Sequence, residues 1–453
     1  MDKKKRSRMN GWIRAAKIGA FFLALLIIAF IGILWFARPK TSDLEKRTLT
    51  KFPKLTFASF WNGEFFSGVD TWYADTFPTR ESLIAGSKWI ESHYGSRDEQ
   101  VIGEAIIADE IPTGDEAEEP GPAPVTPEDI VPQPEPEPEI KLPDTEGLEN
   151  GTVYDLGEFK GNIYITDNCG YELYYFTKAS ADRAAEGLNE IYDAIGDKVN
   201  MYVMIDPNSA GVMLDQSVLD SMGCSNERDA IHYVYGKLND GIHKVNAVDN
   251  LIPHNAEYIY FHTDHHWTAL GAYYAYQAFC VEKGVMYHDY KTYETKEFPG
   301  FIGTFYSYSN QSQALKSNPD TVVAYVPKGT NSMELTEKSG STYGWNIIQD
   351  VSDYSSGNLY LTFVGGDQPY AWAHNESITD GSAVMVIKDS YGNAFIPWLI
   401  DHYEYIYWVD FRYTSNTVSQ MVADHGVQDV IFSLSIYNGT TDSVMPYLKR
   451  VGQ

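Results

Sequence analysis

Cysteine is scarce in this chain of 453 residues, which has only three: Cys169, Cys224 and Cys280. Three cysteines are too few for a disulfide scaffold, and without a Cys-x-x-Cys spacing they give no support to a structural zinc site. The sequence does not show whether any two of them pair outside the cell. No internal repeat is visible, so nothing indicates a repeat architecture.

Basic residues are also in the minority, because 34 Lys and Arg stand against 62 Asp and Glu, for a net charge of -28. Nucleic-acid binding needs a basic surface that attracts phosphate, so this balance argues against a nucleic-acid partner. Much of the acidic excess falls between Glu104 and Glu149, in a run of Asp, Glu and Pro. Such a run buries too little apolar surface to order itself, and residues 103–150 are predicted to be a disordered linker.

Aromatic residues, in contrast, are abundant, with 33 tyrosines and 10 tryptophans. Both side chains stack on sugars and both are common in protein cores, so composition alone leaves the two interpretations open. The apolar fraction of 43% is ordinary for a globular protein, so a core can form.

The N-terminus has the pattern of a membrane anchor. Seven basic residues between Lys3 and Lys17 precede an uncharged apolar run of about 20 residues, from Ile18 to Ala37. That length spans a lipid bilayer as a helix, and basic residues remain on the cytoplasmic side. Residues 1–40 are therefore predicted to be a cytoplasmic tail and single-pass anchor in the cell membrane, with the main domain outside. A cleaved signal peptide is the alternative, but the length of the run and the bulky Trp35-Phe36 favour an uncleaved anchor.

The rest of the chain divides into a lead-in and a main domain. Residues 41–102 carry apolar residues at helical spacing and are predicted to form a helical segment that packs on the main domain. Residues 151–453 alternate β-branched and aromatic runs with helical stretches, which predicts an α/β domain with a mainly parallel sheet. Residues 287–379, rich in Gly, Ser, Tyr and Asn, break this pattern and are predicted to fold as an insertion over the sheet. The predicted strands are Asn162–Thr166, Asn200–Ile205, Glu257–Phe261, Ala383–Ile387, Tyr405–Val409 and Asp429–Ser433. The predicted helices are Lys178–Ala194, Arg228–Leu238 and Thr268–Lys283.

Polar clusters follow five of these strands, at the point where each strand ends. They are Asp206–Ser209, His262–Trp267, Lys388–Asn393, Asp410–Arg412 and Tyr437–Gly439. In open parallel sheets, ligands bind beyond the carboxyl ends of the strands. We therefore expect these clusters to meet at one edge and to form a site.

Three residues of these clusters have the chemistry of nucleophilic catalysis. A serine hydroxyl needs an adjacent base, histidine titrates in the right range, and a carboxylate fixes the histidine tautomer. Asp264 and His266 stand two residues apart, which in an extended segment places them on one side with His265 pointing the other way. We assign His266 as the base, Asp264 as its orienting carboxylate and Ser390 as the nucleophile. Ser390 is predicted to lie on a strand-to-helix turn whose backbone N–H groups can receive an oxyanion.

Each assignment has a plainer alternative, since a serine beside Gly and Asn is often a turn or cap residue. The shared position at strand ends favours the catalytic interpretation. Five further residues are candidates for contacts with the substrate or the oxyanion: Asn208, Tyr391, Arg412, Asn438 and Trp267. The alternatives are a turn for Asn208 and Asn438, an ion pair with Asp410 for Arg412, and packing for Tyr391 and Trp267.

Two segments carry a resemblance to a known family. Thr263-Asp-His-His-Trp267 and Val386-Ile-Lys-Asp-Ser-Tyr-Gly-Asn393 resemble the motifs of the bacterial DHHW family and are similar to those of the alginate O-acetylation enzymes. The stretch from Arg47 to Trp89 fits the lead-in of that family, so the resemblance covers about residues 43–100 and 150–450. This sequence departs from related hydrolases because it lacks their Gly-Asp-Ser-Leu motif. Lys388 and Asp389 stand before the serine instead.

The resemblance implies an SGNH-hydrolase-like fold and an Asp–His–Ser triad, which Asp264, His266 and Ser390 match. It implies acetyl transfer to, or acetyl removal from, a surface polysaccharide. No cofactor is predicted. The resemblance also implies a separate membrane-bound acyl-transfer protein as the acetyl donor. Whether water or a sugar hydroxyl completes the reaction is left open.

Two other functions are weighed against this hypothesis. A metal hydrolase could use His262, Asp264, His265 and His266 as ligands. Adjacent histidines on an extended segment face opposite ways, however, and no metal site is predicted. A non-catalytic carbohydrate-binding or envelope-assembly protein could keep an SGNH-like fold and bind glycan through residues 287–379.

Overall fold

The computed structural model describes residues 38, 41–42, 47–48, 50–56, 64–77, 100–102, 108–112 and 162–453. The predicted membrane anchor lies outside the described residues, as do most of the predicted linker and the second half of the predicted lead-in helix. Among the residues that are described, no helix is both long enough and apolar enough to cross a membrane. The chain divides into two compact units, Met1–Ser96 and Arg97–Gln453.

The first unit contains a short antiparallel pair, β1 (Thr41–Ser42) and β2 (Arg47–Thr48), and helix α1 (Glu64–Asp75). The end of α1 is held by side chains: the hydroxyl of Thr76 donates to the carbonyl of Trp72 at 2.7 Å. Arg38 donates to the carbonyl of Thr76 and lies 4.0 Å from the Trp72 ring centroid. These contacts fix the last turn of the helix.

The second unit contains thirteen strands and most of the helices that the structure describes. Its strands are β3 (Gln100–Ile102), β4 (Asn162–Thr166), β5 (Cys169–Leu173), β6 (Asn200–Asp206), β7 (His243–Val245), β8 (Glu294–Phe301), β9 (Asp320–Val326), β10 (Ser332–Thr336), β11 (Thr342–Asn346), β12 (Tyr370–His374), β13 (Ala383–Lys388), β14 (Tyr405–Asp410) and β15 (Asp429–Ser435). Its α-helices are α2 (Lys178–Ile195), α3 (Ser209–Met213), α4 (Gln216–Ser221), α5 (Glu227–Tyr235), α6 (Ala247–Leu251), α7 (Ala269–Lys283), α8 (Thr304–Tyr308), α9 (Gln313–Lys316), α10 (Gly392–Leu399), α11 (Val418–His425), α12 (Ile436–Gly439) and α13 (Met445–Val451). Short 3-10 helices span Ile252–His254, Tyr290–Thr292, Ser356–Thr362, Ile400–His402 and Asp442–Val444.

The second unit is built on a mixed sheet of eight strands, in the spatial order β11–β10–β12–β14–β13–β15–β6–β7. The five strands from β14 to β7 run parallel, and β12, β10 and β11 continue the sheet as antiparallel neighbours. All six residues of β13 are buried, as expected for a parallel strand covered on both faces.

Helices cover the two faces of this sheet. Alternate strand residues point to opposite faces, so Val384 and Val386 join a core with α6, α7 and α10. Met385 and Ile387 join the opposite core with α2, α5, α11 and α13. The unit is therefore a three-layer α/β structure with the sheet in the middle.

Three features differ from the sequence-based expectation. Glu257–Phe261, predicted to be a strand, makes only an isolated bridge between Tyr260 and Trp267. The strand that pairs with β6 at the edge of the sheet is β7. Its three residues are too few to show the hydrophobic periodicity of a strand in the sequence. Within residues 287–379, β10, β11 and β12 lengthen the sheet at its edge. Alternate residues of β10 (Met333 and Leu335) and of β12 (Ala371 and Ala373) pack on the same core. The predicted strand Asn162–Thr166 forms, but in a separate antiparallel sheet with β3 and β5.

Candidate active site

Loops that follow four parallel strands lie at one edge of the sheet, here called the carboxyl edge. The strands β6, β13, β14 and β15 end there at Asp206, Lys388, Asp410 and Ser435. The register places Ser435 beside Asp206 and Lys388 beside Asp410. The candidates that follow these four ends are Asn208, Ser390, Arg412 and Asn438. The topology therefore brings these separate sequence clusters to one edge, as the strand-end argument predicts.

The segment from Asp264 to Trp267 contacts the turn that carries Ser390. Trp267 Nε1 donates to the carbonyl of Tyr391 at 3.0 Å, and the Tyr391 hydroxyl donates to the carbonyl of His265 at 2.5 Å. Trp267 and Tyr391 are both fully buried, so they join the two loops rather than line an open cleft. The three predicted catalytic residues thus lie in adjoining loops.

Asp264 and His266 form a buried carboxylate–imidazole pair. His266 Nδ1 lies 2.7 Å from Asp264 Oδ1, with only 7% and 5% of the two side chains exposed. Burial raises the pKa of Asp264, and the neighbouring His266 opposes that shift. Among the described residues, His266 Nε2 has no hydrogen-bond partner, so it makes no hydrogen bond with Ser390 Oγ. Such loose geometry is common before a substrate binds, and the nitrogen that would accept the serine proton is available.

His265 does not point away from His266, so that expectation is wrong. The two ring centroids are 3.9 Å apart, with 33° between the ring planes. Residues 262–266 form successive bends rather than an extended strand, so the alternation of side chains does not apply. Burial lowers the pKa of His265 well below its ordinary value, with a smaller contribution from His266. His265 is therefore uncharged at neutral pH.

The same loop offers a possible set of metal ligands. One ligand atom each from Asp264, His265 and His266 lies within 4.8 Å of the others. Protein metal sites take four or more ligands, or three with an open position, and usually gather them from separate elements. Here the three residues are consecutive, and Asp264 Oδ1 is already bonded to His266 Nδ1. The arrangement fits a catalytic pair better than a metal centre.

Ser390 lies on the turn between β13 and α10 and is 6% exposed. Asp389 holds this turn, since its carboxylate accepts the backbone N–H of Tyr391 at 3.1 Å and that of Ser435 at 2.7 Å. Asn438 Nδ2 donates to the same carboxylate at 2.7 Å. Asn438 therefore supports the serine turn through Asp389.

Asn208 reaches the carboxyl edge from the end of β6 and is 1% exposed. Its backbone N–H donates to Glu227 Oε2 at 2.7 Å, and burial raises the pKa of Glu227 well above its ordinary value. Asn208 Oδ1 lies 3.3 Å from the Tyr391 hydroxyl, whereas Nδ2 is buried without a partner among the described residues. An unpartnered amide donor suits a negative charge that develops only during a reaction.

Arg412 belongs to a cluster of charges beside the serine turn, in which Lys388 and Asp410 are fully buried and Arg412 and Asp367 are partly exposed. Its guanidinium bonds Asp410 and also donates to Asp367 Oδ2 at 2.9 Å. Burial lowers the pKa of Arg412 to about 10. Asp367 in turn accepts Lys388 Nζ and Asn393 Nδ2, each at 2.9 Å. Although burial opposes it, Lys388 holds the pKa of Asp367 below its ordinary value. The ion pair, which was the plainer alternative for Arg412, is present.

Three supporting residues come from the 287–379 segment and were not singled out in the sequence: Asp320, Tyr360 and Asp367. Asp320 accepts the backbone N–H groups of His262 and Thr263 at 2.7 and 2.8 Å, and the Thr263 hydroxyl at 2.6 Å. It also accepts the Tyr258 hydroxyl and lies 2.9 Å from His262 Nδ1. These contacts of Asp320 with Tyr258, His262 and Thr263 are called the Asp320 clamp below. The sequence gives no sign of it, because Asp320 is an isolated acidic residue at the start of a strand.

The fold and the site together define a mixed α/β protein with a serine at the carboxyl edge of its central sheet and an aspartate–histidine pair in the adjoining loop. The chain belongs to the DHHW family: the DHHW protein family matches residues 45–121 and 128–409. The resemblance seen in the two motifs is thereby confirmed.

Solved structures that match this chain include a DHHW family protein from Eubacterium siraeum. It is 29% identical, with a TM-score of 0.56, over 64% of this chain and 94% of that chain. PatB1 from Bacillus cereus, in a structure with a sulfonyl adduct, is 17% identical with a TM-score of 0.52, over 63% and 96% of the two chains. The O-acetyltransferase domain of Pseudomonas putida AlgJ is 13% identical with a TM-score of 0.35, over 62% and 96%. No curated protein matches the sequence.

Proposed function

We propose that this chain is an O-acetyltransferase or acetylesterase that acts on a surface polysaccharide or cell-wall glycan through an acyl-serine intermediate. The observation that carries the proposal is the buried Asp264–His266 pair, in a loop joined to the Ser390 turn; His266 Nε2 has no hydrogen-bond partner among the residues that the structure describes. The likeness of both motifs to those of the alginate O-acetylation enzymes supports acetyl as the acyl group. The sulfonyl adduct of PatB1 suggests a reagent for testing the serine.

The reaction follows from these positions. His266 takes the Ser390 proton, and Ser390 Oγ attacks the carbonyl carbon of an acetyl ester. Asn208 Nδ2 and backbone N–H groups near Ser390 hold the oxyanion. The intermediate collapses as His266 returns the proton to the departing alcohol. A sugar hydroxyl or water then attacks the acetyl-serine, and His266 takes its proton. His266 returns that proton to Ser390 Oγ as the bond between Oγ and the acetyl carbon breaks, which regenerates both residues.

The cellular setting is part of the proposal. The apolar run at 18–37 would anchor the chain in the membrane and keep the domain outside the cell. Because acetyl-coenzyme A is not expected there, a membrane-bound acyl-transfer protein would supply the acetyl group.

The test uses the purified full chain, Ser390→Ala and a matched control, Ser443→Ala, whose serine is exposed on the surface. Each is incubated with 4-nitrophenyl acetate, with and without soluble oligosaccharides. Nitrophenol release and sugar mass are then followed. We expect release by the wild type and Ser443→Ala and a loss of several orders of magnitude in Ser390→Ala. Acetylated sugar would identify a transferase, and release without it an esterase. Equal release by all three would contradict the serine mechanism.

A second candidate, glycan binding without catalysis, is favoured by a groove of about 530 Å³ on the antiparallel part of the sheet. Its lining combines aromatic and polar side chains, among them Trp372, His374 and Glu334, and such lining suits sugars. Trp372 Nε1 donates to Glu334 at 3.1 Å. If this groove is the functional site, the Trp372→Ala variant should migrate faster than the wild type in polysaccharide-containing gels, because it no longer binds the polysaccharide. The control Tyr447→Ala, which removes an exposed aromatic ring elsewhere, should migrate like the wild type.

A further inference from the structure

Tyr360 contacts both the imidazole of His266 and the backbone of Ser390. It comes from the 3-10 helix Ser356–Thr362. Its ring stacks on that of His266, with the centroids 4.0 Å apart and 8° between the planes. Its hydroxyl donates to the Ser390 carbonyl at 3.0 Å. A single residue of the 287–379 segment thus links the base to the nucleophile.

The stack supplies a constraint that Asp264 does not. A hydrogen bond at Nδ1 fixes one corner of the imidazole but leaves the ring able to tilt about that bond. A second ring, parallel and in contact, opposes this tilt and so directs Nε2. The bond to the Ser390 carbonyl holds the backbone from which Oγ projects. Together the two contacts set the position of Oγ relative to Nε2, on which proton transfer depends.

The ring face also favours the charge that forms during the reaction. When His266 takes the serine proton it becomes an imidazolium, and a cation over an aromatic face is attracted to it. This attraction is stronger in the charged state than in the resting state, so it favours the transition state.

Tyr360 is itself well held. It is buried, and its ring packs edge-on against Phe363, with the centroids 5.2 Å apart, and against Phe261, at 6.2 Å. Burial, with smaller contributions from nearby carboxylates, raises the pKa of Tyr360 well above its ordinary value. The hydroxyl therefore keeps its proton and remains a donor at neutral pH.

We propose that Tyr360 is a positioning residue that aligns His266 with Ser390 by stacking on the imidazole and bonding the serine turn. The proposal rests on the proposed serine mechanism. It assigns a part of the reactive geometry to the segment that the sequence pattern marks as an insertion.

The test measures sulfonylation of Ser390 in the full chain by phenylmethanesulfonyl fluoride, which needs neither the acetyl donor nor the acceptor. Ser390 Oγ bonds the sulfur, fluoride leaves, and His266 takes the proton. The rate is followed by intact mass and the site by peptide mapping. Tyr360→Phe keeps the ring and loses the hydroxyl, whereas Tyr360→Leu and Tyr360→Met lose the planar face.

A matched control distinguishes a loss of protein stability from a loss of Ser390 reactivity. Tyr233→Leu removes another buried tyrosine, whose hydroxyl donates to Asp182 at 2.7 Å and whose ring lies under Lys237. The unfolding midpoint of every variant is measured, and Tyr360→Met decides the question if Tyr360→Leu does not fold. We expect the rate to fall about 10- to 100-fold in the Leu and Met variants and only about 2- to 5-fold in Tyr360→Phe. Tyr233→Leu should react like the wild type.

Two results would overturn the proposal, and they are distinguishable. If the wild type is sulfonylated at Ser390 and the folded Leu or Met variant reacts equally fast, Tyr360 does not position the pair, although the serine mechanism stands. If the wild type is not sulfonylated at Ser390, the proposed function fails and the role of Tyr360 falls with it.

Discussion

Replacing Asp320 by Asn should loosen the loop that carries Asp264 and His266. The Asp320 side chain is fully buried, and its two oxygens receive the four donors described above from Tyr258, His262 and Thr263. Asn retains one acceptor oxygen but turns an N–H₂ group toward the other donors. The substitution keeps the volume and changes only charge and hydrogen bonding, so the effect can be assigned to the clamp.

The size of the effect follows from the contacts. Two of the four hydrogen bonds lose their acceptor, and each bond to a buried charged group is worth about 1.5–3 kcal/mol. The expected loss in the free energy of unfolding is therefore about 3–6 kcal/mol, a large share of the total of about 5–15 kcal/mol for a domain. It would be measured by urea unfolding followed by tryptophan fluorescence.

Asp350→Asn is the matched control, because Asp350 accepts the backbone N–H and hydroxyl of Ser352 at 3.0 and 2.6 Å on an exposed surface. We expect little change there, since water replaces the lost bonds. Hydrogen exchange of the peptide spanning 258–268 should quicken in Asp320→Asn alone. If Asp320→Asn is no less stable than Asp350→Asn, and exchange is unchanged, the clamp argument is refuted.

Three further predictions concern the site and its surroundings. Asp264→Asn should slow nitrophenyl acetate turnover by about 10³- to 10⁴-fold, because the imidazole loses the carboxylate that fixes its tautomer; an unchanged rate would remove Asp264 from the triad. Asn208→Ala should lower kcat by about 10²- to 10³-fold with a smaller change in KM, as expected for an oxyanion donor; a change confined to KM would contradict that role. Burial, with His288 nearby, lowers the pKa of His402 from 6.5 to about 4. As pH falls, His402 binds a proton in the unfolded chain, near pH 6.5, before it does so in the folded chain, near pH 4. The free energy of unfolding should therefore decrease as pH falls from 6.5 to 4. The loss should reach about 3 kcal/mol and should be smaller in His402→Gln. Urea unfolding at several pH values would measure it.

The parallel part of the sheet could be predicted closely from the sequence. For β6, β13, β14 and β15 the predicted starts are correct and the ends fall within two residues, because buried parallel strands are nearly continuous apolar runs. From these strands the strand-end rule led to Asn208, Ser390 and Arg412. The antiparallel edge strands are not continuous apolar runs, since the buried residues of β10 and β12 alternate with exposed or partly exposed ones.

The pairing of Asp264 with His266 was predicted for a reason that the structure does not support. The segment is bent, and Asp264 Oδ1 reaches both the ring and the backbone N–H of His266, the latter at 3.3 Å. An Asp that bonds the backbone two residues ahead is a property of a turn. The same bend that makes this contact also brings the His265 ring against His266, which the extended interpretation could not foresee.

The residues that hold the site together are isolated in sequence and converge only in the fold. Asp320 accepts hydrogen bonds from the loop that carries Asp264 and His266. Asp367 bonds Lys388 and Asn393, on either side of Ser390. Tyr360 contacts both His266 and Ser390. All three come from residues 287–379. Because no hydrogen bond joins His266 to Ser390 in this structure, the distance between them depends on these supports and on the hydrogen bonds of Trp267 and Tyr391 that join the two loops. Substitutions in this segment should therefore alter the reactivity of Ser390 while Asp264, His266 and Ser390 themselves are unchanged.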